Sequence, residues 1–154
     1  MGSRFDARWA VAEAARAYRF HADRPGSIAR ILRAFSRVRL RAWNRFAGSD
    51  VCAGARIGRN AMLPHPNGVV IHPHAIIGDD CVIMQQVTIG EIRAGQVPVV
   101  GDKVYIGAGA KILGGIRIGD GASIGANAVV LQDVPDGWVA VGIPAVVRPR
   151  KSGR

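Results

Sequence analysis

Four histidines, two cysteines and a set of carboxylates are the side chains of this sequence best suited to proton, metal or nucleophile chemistry near neutral pH. His65 stands in the segment Leu63, Pro64, His65, Pro66, Asn67, Gly68, and Asp50 lies fifteen positions before it. An imidazole, with an ordinary pKa of about 6.5, can take a proton from a hydroxyl near neutrality. A carboxylate bonded to its other nitrogen would fix the tautomer and stabilise the imidazolium. The same residues also admit a plainer reading, with His65 on a surface loop and Asp50 capping the start of an element. His72 and His74 flank Pro73 and invite a metal. Zinc takes three or four well-placed ligands, and this pair lacks a third at matching spacing, so no metal site is expected. Cys52 and Cys81 supply neither a disulfide framework nor a paired zinc motif, and a reduced, cytoplasmic protein is the expectation.

The elements that must position these residues follow from a repeat. Aliphatic side chains recur every six positions at Val51, Ile57 and Leu63, again at Ile71, Ile77, Ile83 and Ile89, and again at Val100, Ile106, Ile112, Ile118, Ile124 and Val130. Glycine follows the aliphatic residue at seven of these positions, among them Gly58, Gly78 and Gly101. A period of six matches neither a helix nor a sustained strand. It matches a short strand and a turn forming one side of a coil, with the aliphatic residue inward and stacked coils burying a continuous column. Two interruptions break the phase, one around Pro64–Gly68 and one through residues 91–97, and insertions in solenoids map to surface loops that often carry function.

Residues 1–49 follow a different pattern. A helix from about Asp6 to Phe20 ends before the Arg24, Pro25, Gly26 break. Ser27 is placed to cap a second, in which Ile28, Ile31, Leu32, Phe35, Val38, Trp43 and Phe46 form a broad apolar face. That face is expected to pack against the repeats or a neighbouring subunit, with peripheral contact to an anionic membrane through the arginines as the alternative. The formal charge of +10 over 154 residues is concentrated here, since residues 1–50 hold eleven arginines and four acids. The repeats are nearly neutral and only 6% of the chain is aromatic, which argues against nucleic-acid binding. The three parts are thus a helical arm (1–49), the repeats (50–148) and a basic tail (149–154).

The stretch VGDKVYIGAGAKILGGIRIGDGASIGANAVV, residues 100–130, followed by LQDVPDGWVAVGIPAVVRP, resembles the C-terminal half of the serine acetyltransferases among hexapeptide-repeat acyltransferases. The resemblance covers about two thirds of the chain. It implies a mainly β fold, a left-handed parallel β-helix of hexapeptide repeats with a short N-terminal helical arm, assembled as a homotrimer or dimer of trimers with sites between subunits. It implies transfer of an acetyl group from acetyl-CoA, a co-substrate rather than a resident cofactor, to a hydroxyl acceptor, L-serine first, in cysteine biosynthesis. His65 matches the family's catalytic histidine and Asp50 its acidic partner. Gly107, Ala108, Gly109, Ala110 and Lys111 match the turn that contacts the pantetheine arm, where small residues let backbone amides approach. Gly142 and Pro144 match the final turn, and Arg148 or Lys151 would meet nucleotide phosphates.

The sequence also departs from the family. Pro64 replaces the usual aspartate before the histidine, and Val97 stands where a second, serine-binding histidine belongs. Arg93 is the compensating acceptor-binding candidate. A saccharide hydroxyl in polysaccharide biosynthesis is therefore the alternative acceptor, and a non-catalytic scaffold the third reading. The chain ends Arg150, Lys151, Ser152, Gly153, Arg154, without the terminal isoleucine that docks into cysteine synthase, so that complex is not expected. The helical region is shorter than the family's usual N-terminal domain.

Overall fold

The computed structural model describes residues 7–150. Asp6 and Lys151, named above, lie outside them. Two helices, α1 (Ala7–Ala22) and α2 (Ser27–Ala47), precede a solenoid of short strands. Gly26, with φ of 109°, occupies the N-cap of α2, and Ser27 is already in the first turn, where its hydroxyl accepts from Arg30 instead of capping the helix. Gly48 ends α2 in the left-handed conformation, its N–H returning to the Asn44 carbonyl, as C-terminal glycines do.

Three sheets run the length of the solenoid. One stacks β1 (Asp50–Val51), β3 (Val70–Ile71), β6 (Thr88–Gly90), β9 (Lys111–Leu113) and β12 (Val129–Val130). A second stacks β2 (Arg56–Ile57), β4 (Ile76–Ile77), β7 (Val99–Val100) and β10 (Arg117–Ile118). The third holds β5 (Val82–Ile83), β8 (Tyr105–Ile106), β11 (Ser123–Ile124), β13 (Val139–Val141) and β14 (Val146–Arg148). Every pairing is parallel except the last, where β14 runs back along β13. This is a parallel β-helix with three strands per coil, and the two helices sit at its N-terminal end.

All thirteen in-phase aliphatic positions are buried, from Val51 to Val130. Burying each removes enough apolar surface to be worth about 1.5–3 kcal/mol. A second inward column lies two residues before the first and is made of small side chains, including Ala55, Ala61, Ala75, Cys81, Ala110, Ala122 and Ala128. The registers place Val51 beside Ile71 but Ile71 beside Ile89, so the first coil is longer than the second by the His65 insertion.

On one edge the coils are tied by carboxylates. Asp79 accepts from the Arg59 N–H, Asp102 from the Asp79 N–H, Asp120 from the Asp102 N–H and Asp136 from the Asp120 N–H, at 2.7–2.9 Å. Arg59 closes the bottom of this ladder, its guanidinium 2.7 Å from the Asp79 carboxylate.

α1 buries Val11, Ala12, Ala14 and Ala15, and Arg16 donates to the Gly58 carbonyl at 2.9 Å, closing the first coil from below. α2 packs on α1 through Ala29, Ser36 and Leu40. The broad apolar face does not pack on the repeats of its own chain: Ile28, Ile31, Phe35, Val38 and Phe46 are exposed, and of that set Trp43 alone is half-buried against the core. Both faces of α2 are apolar, so the sequence pattern did not distinguish which one folds inward. No helix among the described residues is long and apolar enough to cross a membrane.

Candidate active site

His65 projects from the bulge that precedes β3 and is exposed. It lines a cleft of about 280 Å³ with Trp43, Phe46 and Ala47 of the helix end and Pro64, Pro66 and Asn67 of its own loop. The loop is held to the helix C-terminus by the Gly68 N–H, which donates to the Gly48 carbonyl at 2.7 Å. Trp43 and Phe46 meet edge to face, with ring centroids 5.9 Å apart. These two aromatic walls were read from the sequence only as part of a helix face. The signal that could have found them is their place at the end of α2, immediately before Asp50.

Asp50 opens β1, and its N–H donates to the Val69 carbonyl at 2.8 Å. Its side chain faces outward, beside Val70 in register. It lines a neighbouring cleft with Arg37, Arg41, Asn44 and Cys52, on the other side of the helix end from His65. No hydrogen bond joins the Asp50 carboxylate to His65 among the described residues. Burial, with the Asp50 charge added to it, pushes the Cys52 thiol above its ordinary range.

Above the His65 bulge, main-chain hydrogen bonds build one corner of the solenoid. Gln86 donates to the Asn67 carbonyl, Gly109 to the Gln85 carbonyl and Asn127 to the Ala108 carbonyl, at 2.8–2.9 Å. The turn Gly107–Lys111 therefore stands directly over the Gln85–Gln86 turn, which stands over the His65 loop. Lys111 reaches back down, its Nζ donating to the Gln86 carbonyl at 2.7 Å. Within the same layer the Gln85 side-chain oxygen is buried without a partner. Gln85 and Gln86 belong to this corner, and the six-residue period does not single them out. Their adjacent amide side chains at a turn, one coil after His65, are the signal that was present.

The small residues of the Gly107–Lys111 turn have a structural reason. A Cβ on Gly107 would lie 2.6 Å from the Ala126 nitrogen of the next coil, and Gly109 sits at φ 74°. The amides of Gly107, Gly109, Ala110 and Lys111 are already donating to other coils or within the turn. Ala108 is thus the amide of this turn that has no main-chain acceptor among the described residues.

Gly142, at φ 101°, and Pro144 form the turn between β13 and β14, and the Val129 N–H donates to the Gly142 carbonyl at 3.0 Å. Since Val129 pairs with Lys111, this turn lies on the same column as the Gly107–Lys111 turn, further from His65. Arg148 ends β14 and is exposed, while Arg150 donates to the Gly121 carbonyl and to Ser123.

Arg93 is elsewhere. It belongs to the loop that follows β6, whereas His65 belongs to the loop that precedes β3, so the two lie at opposite ends of the first sheet. In that loop Glu91 approaches His72, 3.5 Å from Nε2, and Val97 packs half-buried against the core. Among the described residues no three histidine, cysteine, aspartate or glutamate side chains converge as a metal site would require.

Residues 98–132 match the family described as bacterial transferase hexapeptide (six repeats). A serine acetyltransferase of Mycobacterium tuberculosis is 48% identical over 103 residues, covering 65% of this chain and 45% of that protein. The structure of soybean serine acetyltransferase complexed with serine superposes with a TM-score of 0.74 at 38% identity, over 90% of this chain and 56% of the other. A serine acetyltransferase in complex with CoA superposes with a TM-score of 0.76 at 32% identity, over 90% and 55%. The chain spans about half the length of these relatives.

Proposed function

We propose that this chain, a hexapeptide-repeat protein whose β-helix is of the serine acetyltransferase kind, transfers the acetyl group of acetyl-CoA to the hydroxyl of a small acceptor. The observation that carries the reading is the corner column, in which the exposed His65, the Gln85–Gln86 turn and the Gly107–Lys111 turn stand one above another.

In this reading acetyl-CoA lies along the column. Its pantetheine arm passes the Gly107–Lys111 turn, and its nucleotide end reaches the Gly142–Pro144 turn and Arg148. His65 removes the acceptor proton as the hydroxyl oxygen attacks the thioester carbonyl. The C–S bond then breaks, and the thiolate of CoA leaves and takes up a proton. The Ala108 N–H, uncommitted to another coil, is the donor available to the oxyanion of the tetrahedral intermediate. The buried, unpartnered Gln85 oxygen suits an amide N–H of the arm, since a buried acceptor left without a donor is costly. Asp50 is the candidate orienting carboxylate, since its strand pairs with β3, the strand that follows the His65 loop.

L-serine is the first acceptor to test, because one solved relative is complexed with serine. Arg93 is a candidate for the serine carboxylate only if contributed by a neighbouring chain, as it lies at the far end of the sheet from His65 in its own chain. A homotrimer with sites between subunits is the assembly in which it could be so contributed. Val97 and the aromatic cleft at His65 favour a second reading, a saccharide hydroxyl: Trp43 and Phe46 offer stacking surface, and no cation lines that cleft.

The test is release of CoA thiol from acetyl-CoA by the purified chain, with and without millimolar L-serine. Serine-dependent release, abolished in His65→Ala, supports the amino-acid acceptor. Release with saccharides but not with serine moves the assignment to the second reading. No release with either would leave a non-catalytic scaffold.

A further inference from the structure

The helix α2 carries a second apolar face that no part of the described residues covers. Ile28, Ile31, Leu32, Phe35, Val38 and Phe46 fall at helical spacings on one side, with Phe46 five turns beyond Ile28 on the same line. Ile31 is 69% exposed, Phe35 66% and Phe46 81%, while Leu40, on the side toward α1, is 2% exposed. The helix holds six arginines and no acidic residue. Arg39 lies within the apolar stripe and Arg45 at its edge.

The charge decides between occupants. Two copies of this face laid together would bring arginine rows against each other, with no carboxylate on either helix to pair them, whereas self-associating helices place opposite charges beside the apolar seam. The acids nearest on the arm are Glu13 of α1 and Asp23 just beyond its end, the latter engaged by Arg19. An anionic lipid surface instead supplies the counter-charge for the guanidinium groups and an apolar layer for the stripe. Arginine stems can lie along that layer while their heads reach the phosphates.

We propose that α2 docks in the plane of an anionic phospholipid surface through this stripe. Phe46, the last residue of the stripe, also lines the His65 cleft, so docking sets that cleft at the lipid–water boundary. An acceptor hydroxyl presented at a membrane surface then reaches His65 without crossing bulk water. The docking goes beyond the acyl-transfer reading and is measured without turnover.

The experiment is flotation of the full chain with vesicles of phosphatidylcholine alone and of phosphatidylcholine with phosphatidylglycerol. Capture by the anionic vesicles, weaker on neutral ones and diminished by salt, is the expected result. Exchanging Ile31 and Phe35 together for serine lowers capture at least about tenfold, with the circular dichroism spectrum unchanged, since both are surface residues. His65→Ala keeps full capture while losing turnover, which separates a failure of docking from a failure of the acyl-transfer reading. Absence of capture by anionic vesicles overturns the proposal, as does undiminished capture by the serine variant. A drop in oligomer mass on the same exchange in sedimentation velocity also overturns it, by assigning the stripe to a second copy.

Discussion

Lys111 Nζ sits 2.7 Å from the main-chain carbonyl of Gln86, one coil below its own strand. The ammonium group fastens the Gly107–Lys111 turn to the layer that contains the unpartnered Gln85 oxygen. Lys111→Met removes a charged hydrogen bond without removing the stem. The KM for acetyl-CoA should rise about three- to tenfold with kcat little changed. Steady-state kinetics with acetyl-CoA varied checks this, and an unaltered KM takes Lys111 out of the donor site.

His65→Ala should lower turnover by about two to four orders of magnitude, the usual worth of a general base. Asp50→Asn should cost less, because Asp50 makes no hydrogen bond to His65 in this structure and would act by orienting it. Steady-state kinetics on both variants check this, and an Asp50→Asn loss as large as that of His65→Ala would make Asp50 more than an orienting group.

The Arg59 guanidinium, with the Arg59 amide beside it, holds the Asp79 carboxyl below its ordinary range. A folded-state pKa below the unfolded one contributes stability above the unfolded value, about 3.9, and loses it as pH falls through the folded value. The melting temperature should therefore drop on acidification below about pH 4. Asp79→Asn should flatten part of that drop in thermal melts taken across this range.

Ile112 is fully buried in the middle of the aliphatic column. Ile112→Ala should destabilise the β-helix by about 2–5 kcal/mol in urea unfolding. The exposed Leu131, truncated in the same way, should change it by less than about 0.5 kcal/mol.

Cys81 fills an inward position of the small column, its thiol 3.1 Å from the Gly101 carbonyl, and burial pushes its pKa up to about 11. Cys52 is only partly buried. Titration of the native protein with a thiol reagent at mildly alkaline pH should give one slow equivalent, at Cys52, and two after denaturation. Rapid modification of both would mean that the coils around Cys81 open readily.

The aliphatic period was legible because each inward side chain repeats the same environment, so thirteen positions report one geometry. The small column was not read, since alanine and cysteine are compatible with many settings and only stacking makes them necessary. His65 stood out through its place in an insertion, which pushes a residue out of a repeating wall. Trp43 and Phe46 did not, because their role depends on how the end of α2 meets that insertion, a contact that neither segment encodes alone. The same limit applies to α2, whose broad apolar face stays off the repeats of its own chain. Leu40 and Phe35 are both large and apolar, yet Leu40 is buried and Phe35 exposed. Arg93 was assigned to the acceptor by its loop, yet the loop leaves from the opposite end of the sheet, which only the register reveals.

The reversal of β14 has a consequence for growth of the solenoid. A stack of parallel coils ends in rows of unpaired amides and carbonyls, each a template on which a strand from another molecule can add and extend a fibre. Here the third sheet finishes in a strand that runs against its neighbour, so a rung laid in the direction of the coils would meet β14 antiparallel and break the parallel stacking. At the opposite end α1 lies over β2, with Arg16 occupying the Gly58 carbonyl. The described stack thus meets a reversed strand at one end and a helix at the other, each in place of a further parallel rung.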